Sequence, residues 1–514
     1  MSTAAAWSVA LTGLDGTMVE VEASITSGLP CTVLVGLPDT ALNESRDRCR
    51  AAASSLGVGW PTERLTINLT PASLPKAGSH YDLAIMAAVL CAAGKVPSQV
   101  ASRAVLIGEI GLDGRVRRVN GVLPAVLAAR RAGRSLVIVP MIQVAEARLV
   151  TDVEVWGVGS LADLMEALHG RPPEIVPVPG AVTASSEPAR RLDLADVTGQ
   201  PEGRWALEVA AAGGHHLFFQ GPPGVGKTML AERLPTLLPP LTQDEALQVS
   251  ALHSLAGEPL GELITVPPYF APHHNATVAA MVGGGSRLAK PGAISLAHRG
   301  VLFLDEVPEF STRVIESLRT PLESGWVSVA RAQGMVRYPA RFQLVLGANP
   351  CPCGRYGATV GRSGVGCRCQ PMQLRRYNER ISAPMLDRVD IHQRLDAPRR
   401  AFAGVTEEHP ESSAQVAARV AEARERQRHR LAGTGWLLNA EVPGYYLRRA
   451  LPPQGGRQLL ETALAQGRVS ARGVDKVIRL AWTLADLEGM AAVGADQVAA
   501  ALSLNRAEWQ VAAL

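Results

Sequence analysis

The sequence predicts an α/β protein built from more than one domain. Short β-type runs such as RLTINL and SLVIVP alternate with alanine-rich helical stretches such as YDLAIMAAVLCAAG. A chain of 514 residues exceeds the usual size of a single domain. Apolar residues make up 47% of the chain and charged residues 19%, which is enough apolar material for sizeable cores and argues against global disorder.

Composition limits the cellular setting more than the activity. The net charge of +4 is small for this length and gives only weak support for a polyanionic partner. The start MSTAAAWSVALTG lacks a basic segment followed by a long apolar run, and the apolar stretch LAIMAAVLCAAG is too short to span a membrane. We therefore expect a cytoplasmic protein with no membrane partner. In a reducing compartment, clustered cysteines are more typical of metal sites than of disulfides.

Composition shifts divide the chain into four parts. Residues 1–170 read as an α/β domain, and residues 171–191 are rich in Pro, Ser and Ala without an apolar period, which is typical of a linker. Residues 192–396 alternate helices with the apolar strands HHLFFQ, GVLFLDE and FQLVLGAN, which predicts a parallel sheet covered by helices. Residues 397–514 read as mostly helical, with one amphipathic helix in SARGVDKVIRLAWTLADLEG.

A glycine-rich loop between the first core strand and a helix carries the strongest motif. It has the pattern G-x-x-x-x-G-K-[ST], which in this context predicts a P-loop that binds ATP. Its backbone N–H groups can cradle phosphates, the lysine can neutralise the β and γ oxygens, and the threonine hydroxyl can ligate Mg²⁺. The loop residues are Gly221, Pro222, Pro223, Gly224, Val225, Gly226, Lys227 and Thr228.

Two later strands end in residues that complete such a site. GVLFLDE ends in Asp305, which can hold the Mg²⁺ shell, and Glu306, which can polarise the attacking water. FQLVLGAN ends in Asn349, whose carboxamide can orient that water. An asparagine before a proline is also an ordinary turn former, and an apolar run that ends in acids is also an ordinary strand end.

Three arginines are candidates for contacts with phosphate. Arg388 and Arg380 lie in ERISAPMLDRVDIH and could stabilise the transferred phosphoryl group on a neighbouring subunit. Arg472 lies in the first turn of the amphipathic helix, after the N-cap candidate Ser470, and could reach back to the γ-phosphate. For each arginine, a surface salt bridge is the competing interpretation.

Four of the seven cysteines form two Cys-x-Cys pairs within residues 351–369. Four thiolates suit tetrahedral Zn²⁺, and the glycine-rich segment between the pairs can bring them together. Cys-x-Cys is tighter than the usual Cys-x₂₋₄-Cys spacing, so free thiols and a disulfide or redox switch remain alternatives. The predicted ligands are Cys351, Cys353, Cys367 and Cys369.

Six motifs in this order resemble the ComM/YifB family of magnesium-chelatase-like AAA+ ATPases. They are GPPGVGKTML, APHHNATVAAMVGGG, PGAISLAHRGVLFLDEVPEF, ANPCPCG, ISAPMLDRVD and SARGVDKVIRLAWTLADLEG. The resemblance implies a ring, expected to be hexameric, that acts on single-stranded or branched DNA as a helicase. It also implies branch migration during natural transformation and recombination. In that family, Arg388 corresponds to the arginine finger, Arg472 to sensor 2, and the C-terminal helices to a lid.

The N-terminal part resembles the Lon protease domain but lacks its catalytic pair. The stretch PKAGSHYDL places His80 where the Lon serine would align and Ser79 one position early, and Leu123 falls at the lysine position. We therefore expect a domain without protease activity. An unorthodox hydrolase that uses Ser79 or His80 is the competing interpretation.

Direct signals for DNA binding are thin, since aromatic residues are only 4% of the chain. Two segments between the nucleotide motifs are candidate pore elements, and their residues could also be solvated surface groups. One is the glycine-rich segment HHNATVAAMVGGGSRLAKPG, and the other is the hairpin expected in WVSVARAQGMVRYPARF. The candidate residues are His273, His274, Arg287, Lys290, Arg331 and Arg337, with Arg355, Arg362 and Arg368 on the cysteine segment.

Two other functions remain open at this level. One is a chelatase-type ATPase that remodels a protein partner for metal insertion, and the other is a general protein-remodelling ATPase with the Lon-like domain as an adaptor. The Lon-like domain argues against the chelatase motor, because such a subunit does not ordinarily carry one.

Overall fold

A computed structural model gives the fold over residues 2–36, 40–74, 76, 78–174, 192–285, 289–331, 334–356, 367–396 and 410–505. The fold has two large sheets, one mixed with seven strands and one parallel with five strands, and both agree with the α/β pattern of the sequence. In the described part of the chain, no helix combines the length and the hydropathy needed to cross a membrane.

Residues 2–168 contribute a mixed seven-stranded sheet and its helices. The strands are β1 (Ser2–Thr12), β2 (Asp15–Thr26), β3 (Cys31–Val35), β4 (Arg64–Thr70), β5 (Ala104–Leu106), the short pair β6 (Glu109–Ile110) and β7 (Val116–Arg117), β8 (Leu136–Pro140) and β9 (Glu154–Val158). The helices are α1 (Thr40–Ser55), α2 (Asp82–Ala92), α3 (Ser98–Arg103), α4 (Val122–Arg131), α5 (Val144–Ala147) and α6 (Leu161–Leu168).

This sheet has the order β3-β4-β2-β1-β5-β8-β9. β1 and β2 form an antiparallel hairpin and β2 pairs antiparallel with β4, whereas the other neighbours are parallel. Helix α2 is buried on nearly every face because its sequence is apolar all round, and it packs against β1 and β2.

Residues 201–394 contribute a second, five-stranded sheet. Its strands are β10 (Leu217–Gln220), β11 (Tyr269–Phe270), β14 (Val301–Leu304), β17 (Gln343–Ala348) and β18 (Ile391–Arg394), between which lie the two-stranded pairs β12 (Gly283–Gly284) with β13 (Lys290–Pro291) and β15 (Trp326–Arg331) with β16 (Gly334–Pro339). The helices are α7 (Pro201–Gly213), α8 (Lys227–Leu237), α9 (Gln243–Ala256), α10 (Val278–Val282), α11 (Ala293–Leu296), α12 (Thr312–Ser317), α13 (Arg319–Ser324), α14 (Pro371–Asn378) and α15 (Ala383–Leu386).

All five strands are parallel, in the order β11-β14-β17-β10-β18. Successive residues of β14 enter two separate cores: Phe303 joins the cluster shared with the C-terminal helices, and Leu302 joins the cluster on the opposite face. Both faces are therefore covered, which explains why the strands are uninterrupted apolar runs. The parallel sheet fits the AAA+ core that the sequence predicted.

Among the described residues, five further α-helices lie C-terminal to the five-stranded sheet. They are α16 (Ser413–Arg430), α17 (Gly444–Ala450), α18 (Arg457–Ala465), α19 (Ala471–Leu487) and α20 (Ala495–Leu504). Helix α16 packs on α7 and α8, α19 packs on α7, and the other three pack on α19. The predicted N-cap is confirmed, because the Ser470 hydroxyl accepts a hydrogen bond from the Gly473 N–H at the start of α19. That these helices act as a lid stays a prediction.

The N-terminal sheet contacts the core through a buried polar junction between α5 and α9. The Glu146 carboxylate accepts hydrogen bonds from the Ser254 hydroxyl and, at 3.0 Å, from Gln143 Nε2. It also accepts one from the Leu123 N–H at 3.2 Å. A second contact lies at the β1–β2 turn, where Gly13 has φ +67° and a Cβ would approach Arg337 O to 2.9 Å.

Candidate nucleotide-binding site

The order of the parallel strands brings the predicted nucleotide motifs together at one edge of the five-stranded sheet. β10 ends at the P-loop, β14 ends at Asp305, and β17 lies between them and ends at Asn349. The carboxyl ends of parallel strands share an edge, which is where ligands bind in open α/β sheets. Segments about 80 and 120 residues away from the P-loop therefore meet it there.

Lys227 begins helix α8 and is almost fully buried. Its Nζ donates to Gly221 O at 2.8 Å, to Pro222 O at 3.0 Å and to Asn349 Oδ1 at 2.9 Å. Burial lowers the pKa of the Lys227 ammonium, although the carboxylates of Asp305 and Glu306 act in the opposite direction. The glycine before it, Gly226, has φ +95°, so the loop uses a backbone conformation that favours glycine.

Thr228 and Asp305 are joined directly. The Thr228 hydroxyl donates to Asp305 Oδ2 at 2.7 Å, and Asp305 Oδ1 accepts from the Glu306 N–H at 2.9 Å. Gly347 on β17 leaves room for this carboxylate, since a Cβ there would lie 2.8 Å from Asp305 Oδ1. A hydroxyl and a carboxylate side by side are the hard oxygen donors that Mg²⁺ prefers, so this pair fits the metal that the motif predicted.

Glu306 has a strained backbone and a half-exposed side chain. Its φ of 50° and ψ of 44° lie in the left-handed region, which costs a non-glycine residue on the order of 1–3 kcal/mol. Residues in such strained conformations cluster at functional sites. Its side chain is 51% exposed, and Oε2 lies 3.9 Å from His274 Nδ1. His274 reaches it because β11, the strand before His274, pairs in parallel with β14. The sequence had assigned His274 only to a candidate pore element.

Asn349 contacts the P-loop lysine, and its predicted role in orienting water stays a prediction. Gln200 was missed by the sequence-based interpretation. Its Nε2 donates to Val225 O at 3.1 Å and to Asp396 O at 2.9 Å, so it links the P-loop to the residues after β18. No motif marks Gln200, because its role depends on contacts with residues 25 and 196 positions away.

The candidate arginines have described partners other than the P-loop residues. Arg388 donates from Nη1 to Pro384 O at 2.6 Å and pairs through Nη2 with Glu323, and its buried Nε has no hydrogen-bond partner among the described residues. Arg472 is 79% exposed and lies 3.6 Å from Asp387, the residue before Arg388. Arg380 Nη1 donates to Pro308 O and pairs with Glu309, both at 3.0 Å. Arg472 thus contacts the residue that precedes Arg388 in the chain.

The four predicted metal ligands converge. One sulfur atom from each of Cys351, Cys353, Cys367 and Cys369 falls in a group whose members all lie within 4.8 Å of one another. Cys351 is fully buried, and its Sγ accepts a hydrogen bond from the Tyr356 N–H at 3.3 Å. None of these cysteines forms a disulfide. The cluster could hold a metal ion.

The candidate DNA-contacting residues are only partly described. Arg337 lies on the hairpin β15–β16, exposed, with its guanidinium 5.2 Å from the centre of the Trp326 ring. Lys290, Arg355 and Arg368 are exposed, and His273 stacks on His274 with ring centres 4.0 Å apart. The hairpin predicted from the sequence is confirmed. Arg287, Arg362 and the side chain of Arg331 lie outside the described residues.

The N-terminal positions that align with Lon catalysis have structural partners. The Ser79 hydroxyl hydrogen-bonds to Glu109, and His80 Nε2 lies 2.8 Å from Val9 O. Leu123 is fully buried in α4. The expected lack of protease activity stays a prediction.

Three family models match successive parts of the chain. A model described as magnesium chelatase, subunit ChlI, matches residues 193–401. Models of subunit ChlI of Mg-chelatase and of its C-terminal part match residues 21–143 and 410–505.

Relatives match the chain over almost its whole length. An uncharacterised protein of Mycobacterium tuberculosis is 52% identical over 98% of this chain and 99% of its own. Competence protein ComM of Haemophilus influenzae is 38% identical over 98% of this chain and 97% of its own, and YifB of Salmonella typhimurium is 39% identical over 95% and 94%. A Lon protease of Mycolicibacterium smegmatis is 31% identical over only 36% of this chain and 23% of its own, so the likeness to Lon is partial.

Proposed function

The chain belongs to the ComM/YifB family of magnesium-chelatase-like AAA+ proteins, and from this premise we propose that it is an ATP-hydrolysing ring motor that acts on DNA. The observation that carries the proposal is the convergence of Lys227, Asn349 and the Thr228–Asp305 pair at one sheet edge, with Glu306 beside them. In this proposal the task is helicase action or branch migration in natural transformation and recombination.

The proposed cofactors are ATP, Mg²⁺ at Thr228 and Asp305, and Zn²⁺ at the four cysteines. Lys227 and the N-terminal N–H groups of α8 would hold the phosphates, because a helix N-terminus attracts anions. Glu306 would take a proton from the attacking water, since its carboxylate is half exposed beside the metal-binding pair. Magnesium would supply charge neutralisation for the transferred phosphoryl group.

The DNA partner is tested by measuring ATP turnover with and without forked or single-stranded DNA. We expect DNA to raise the turnover rate and to bind with a steep salt dependence, because phosphate contacts release counterions. Lys227→Ala is the control for turnover by a contaminating ATPase. If DNA neither binds at moderate salt nor raises turnover, the DNA motor is wrong, and a protein-remodelling or chelatase-type ATPase would replace it.

The ring is tested by complementation between two inactive variants. We propose a ring of six subunits, as the family resemblance implies, in which Arg388 acts on the nucleotide of a neighbouring subunit. Arg388→Ala should therefore assemble but hydrolyse ATP poorly. A Lys227→Ala chain keeps Arg388 and lacks a working P-loop, so mixed rings should regain turnover that neither variant has alone. Arg375→Ala, which removes an exposed arginine paired with Glu379, is the matched control and should behave as wild type.

Two results would contradict this role of Arg388. One is wild-type turnover in Arg388→Ala. The other is mixed rings, shown by native mass spectrometry to contain both chains, that remain inactive.

A further inference from the structure

Three of the four sulfur atoms of the cysteine cluster are separated by distances near those between the ligands of one tetrahedral metal ion, and all four lie within 4.8 Å of one another. Cys351 Sγ lies 3.2 Å from Cys353 Sγ and 3.7 Å from Cys367 Sγ, and Cys353 Sγ lies 3.6 Å from Cys367 Sγ. Four ligands about 2.3 Å from a zinc ion lie about 3.8 Å apart at the edges of the tetrahedron. The observed sulfur–sulfur distances are close to this edge length and far longer than the disulfide bond of about 2.05 Å.

The chemistry of the donors favours zinc. Four thiolates in tetrahedral arrangement select zinc or iron, and hard oxygen-preferring ions are excluded. The pairs come from segments 14 to 18 positions apart in the chain, yet they meet at one point, next to the turn closed by the Gly354 N–H and Cys351 O at 2.9 Å. A ligand set drawn from two segments can fix the position of both.

The same turn touches the P-loop. Gly354 has φ +74°, and a Cβ added there would lie 2.5 Å from Cδ and 2.8 Å from Cγ of Pro223. Five positions earlier, Asn349 Oδ1 accepts from Lys227 Nζ at 2.9 Å. The short segment 349–354 therefore contacts the P-loop at two places, and its far end is tied to the cysteine cluster.

We propose that Cys351, Cys353, Cys367 and Cys369 bind one Zn²⁺ ion, and that this ion supports the P-loop by fixing the turn at Gly354 against Pro223. This inference rests on one part of the proposed function, namely that the P-loop binds nucleotide. Zinc is a structural ion here, because all four ligands come from the protein and none is left for substrate. Its loss frees the turn and leaves the P-loop without one of its two contacts from this segment.

The experiment measures zinc content and nucleotide affinity in the full chain, purified without chelator. Wild type should contain about one zinc per chain, the number that a Cys₄ site holds. The double variant Cys367→Ser/Cys369→Ser should lose the zinc and bind a fluorescent ADP analogue about 5- to 10-fold more weakly. Cys31→Ser, which removes an exposed cysteine far along the chain from the cluster, should keep both properties.

A second variant separates the metal from the contact. Gly354→Ala keeps all four ligands but places a methyl group against Pro223, so it should retain zinc and still weaken ADP binding. If the double variant does not fold, extraction of zinc from wild type with a strong chelator, followed by zinc addition, gives the same comparison on one chain.

The outcomes are distinct. Less than half a zinc per chain in wild type, or iron in its place, overturns the zinc site. A zinc-free protein with wild-type ADP affinity overturns the support of the P-loop. If wild type contains zinc but does not bind ADP, the result contradicts the proposed ATPase and not the zinc site. If DNA does not stimulate ATP turnover, the zinc inference is unaffected.

Discussion

The five-stranded sheet holds Asp305 and Glu306 at its carboxyl edge, partly open to solvent, whereas the seven-stranded sheet and its helices bury Lys76, Asp82 and Glu146. Both sheets have parallel strands flanked by helices, so the fold class alone does not distinguish them. The difference lies in what the charged groups contact.

The buried charges of the N-terminal unit have partners from their own chain. Lys76 Nζ donates to the carbonyl oxygens of Pro71, Leu69 and Gly36, the latter two at 3.0 and 3.2 Å. Asp82 pairs with Arg48 at 2.9 Å and accepts from a backbone N–H. Buried charges that are paired in this way serve the fold. Asp305 and Glu306 stay accessible at the end of β14 and are free to meet a ligand. Lys227 is buried as Lys76 is, but its Nζ contacts the P-loop and Asn349, so its position and not its burial assigns it to the site.

Lys227 and Lys76 are both buried, so they test whether position at the P-loop is what makes a charged group functional. Lys227→Ala should weaken ATP binding by at least about 100-fold, because it removes charge-assisted contacts to phosphate worth about 1.5–3 kcal/mol each. Lys76→Ala should bind ATP as wild type does but should unfold more easily, by about 1–3 kcal/mol, because it leaves buried carbonyl oxygens without a donor. Calorimetric titration with ATP and urea unfolding measure the two effects. Weakened ATP binding in a fully stable Lys76→Ala chain would break the comparison.

Two glutamates test the same contrast through ATP turnover instead of nucleotide affinity. Glu306→Gln should slow ATP turnover by about 10²–10³-fold, since it removes the proton acceptor, while nucleotide affinity stays unchanged. Glu146→Gln should leave turnover per folded chain unchanged and lower the melting temperature by about 2–4 °C, because an amide replaces the carboxylate that joins the two units. Steady-state kinetics and thermal unfolding of both variants provide the comparison. Normal turnover in Glu306→Gln would remove the assigned role.

Much of the candidate site could be predicted because its motifs are local. The P-loop, the acids after β14 and the N-cap of α19 each depend on a few neighbouring residues, and the structure has these elements where the patterns indicated them. The cysteine pairs were identified in the same way, and they meet as predicted. The contacts of Gln200, Gly347 and His274 could not be predicted, since each joins residues from separate strands or loops.

The amino-acid sequence is enough to identify the chemical groups and the local backbone that carries them: a glycine loop before a helix, acids at the end of an apolar strand, and four cysteines in two close pairs. Three features are visible only in the folded chain: β17 lies between β10 and β14, Gly354 lies against Pro223, and Glu146 contacts Ser254 across 108 positions. The physical reason is the distance along the chain over which each effect acts. Propensities and motif spacing act over a few residues, whereas the order of strands and the contacts between units are set by burial of apolar faces that the whole chain must share.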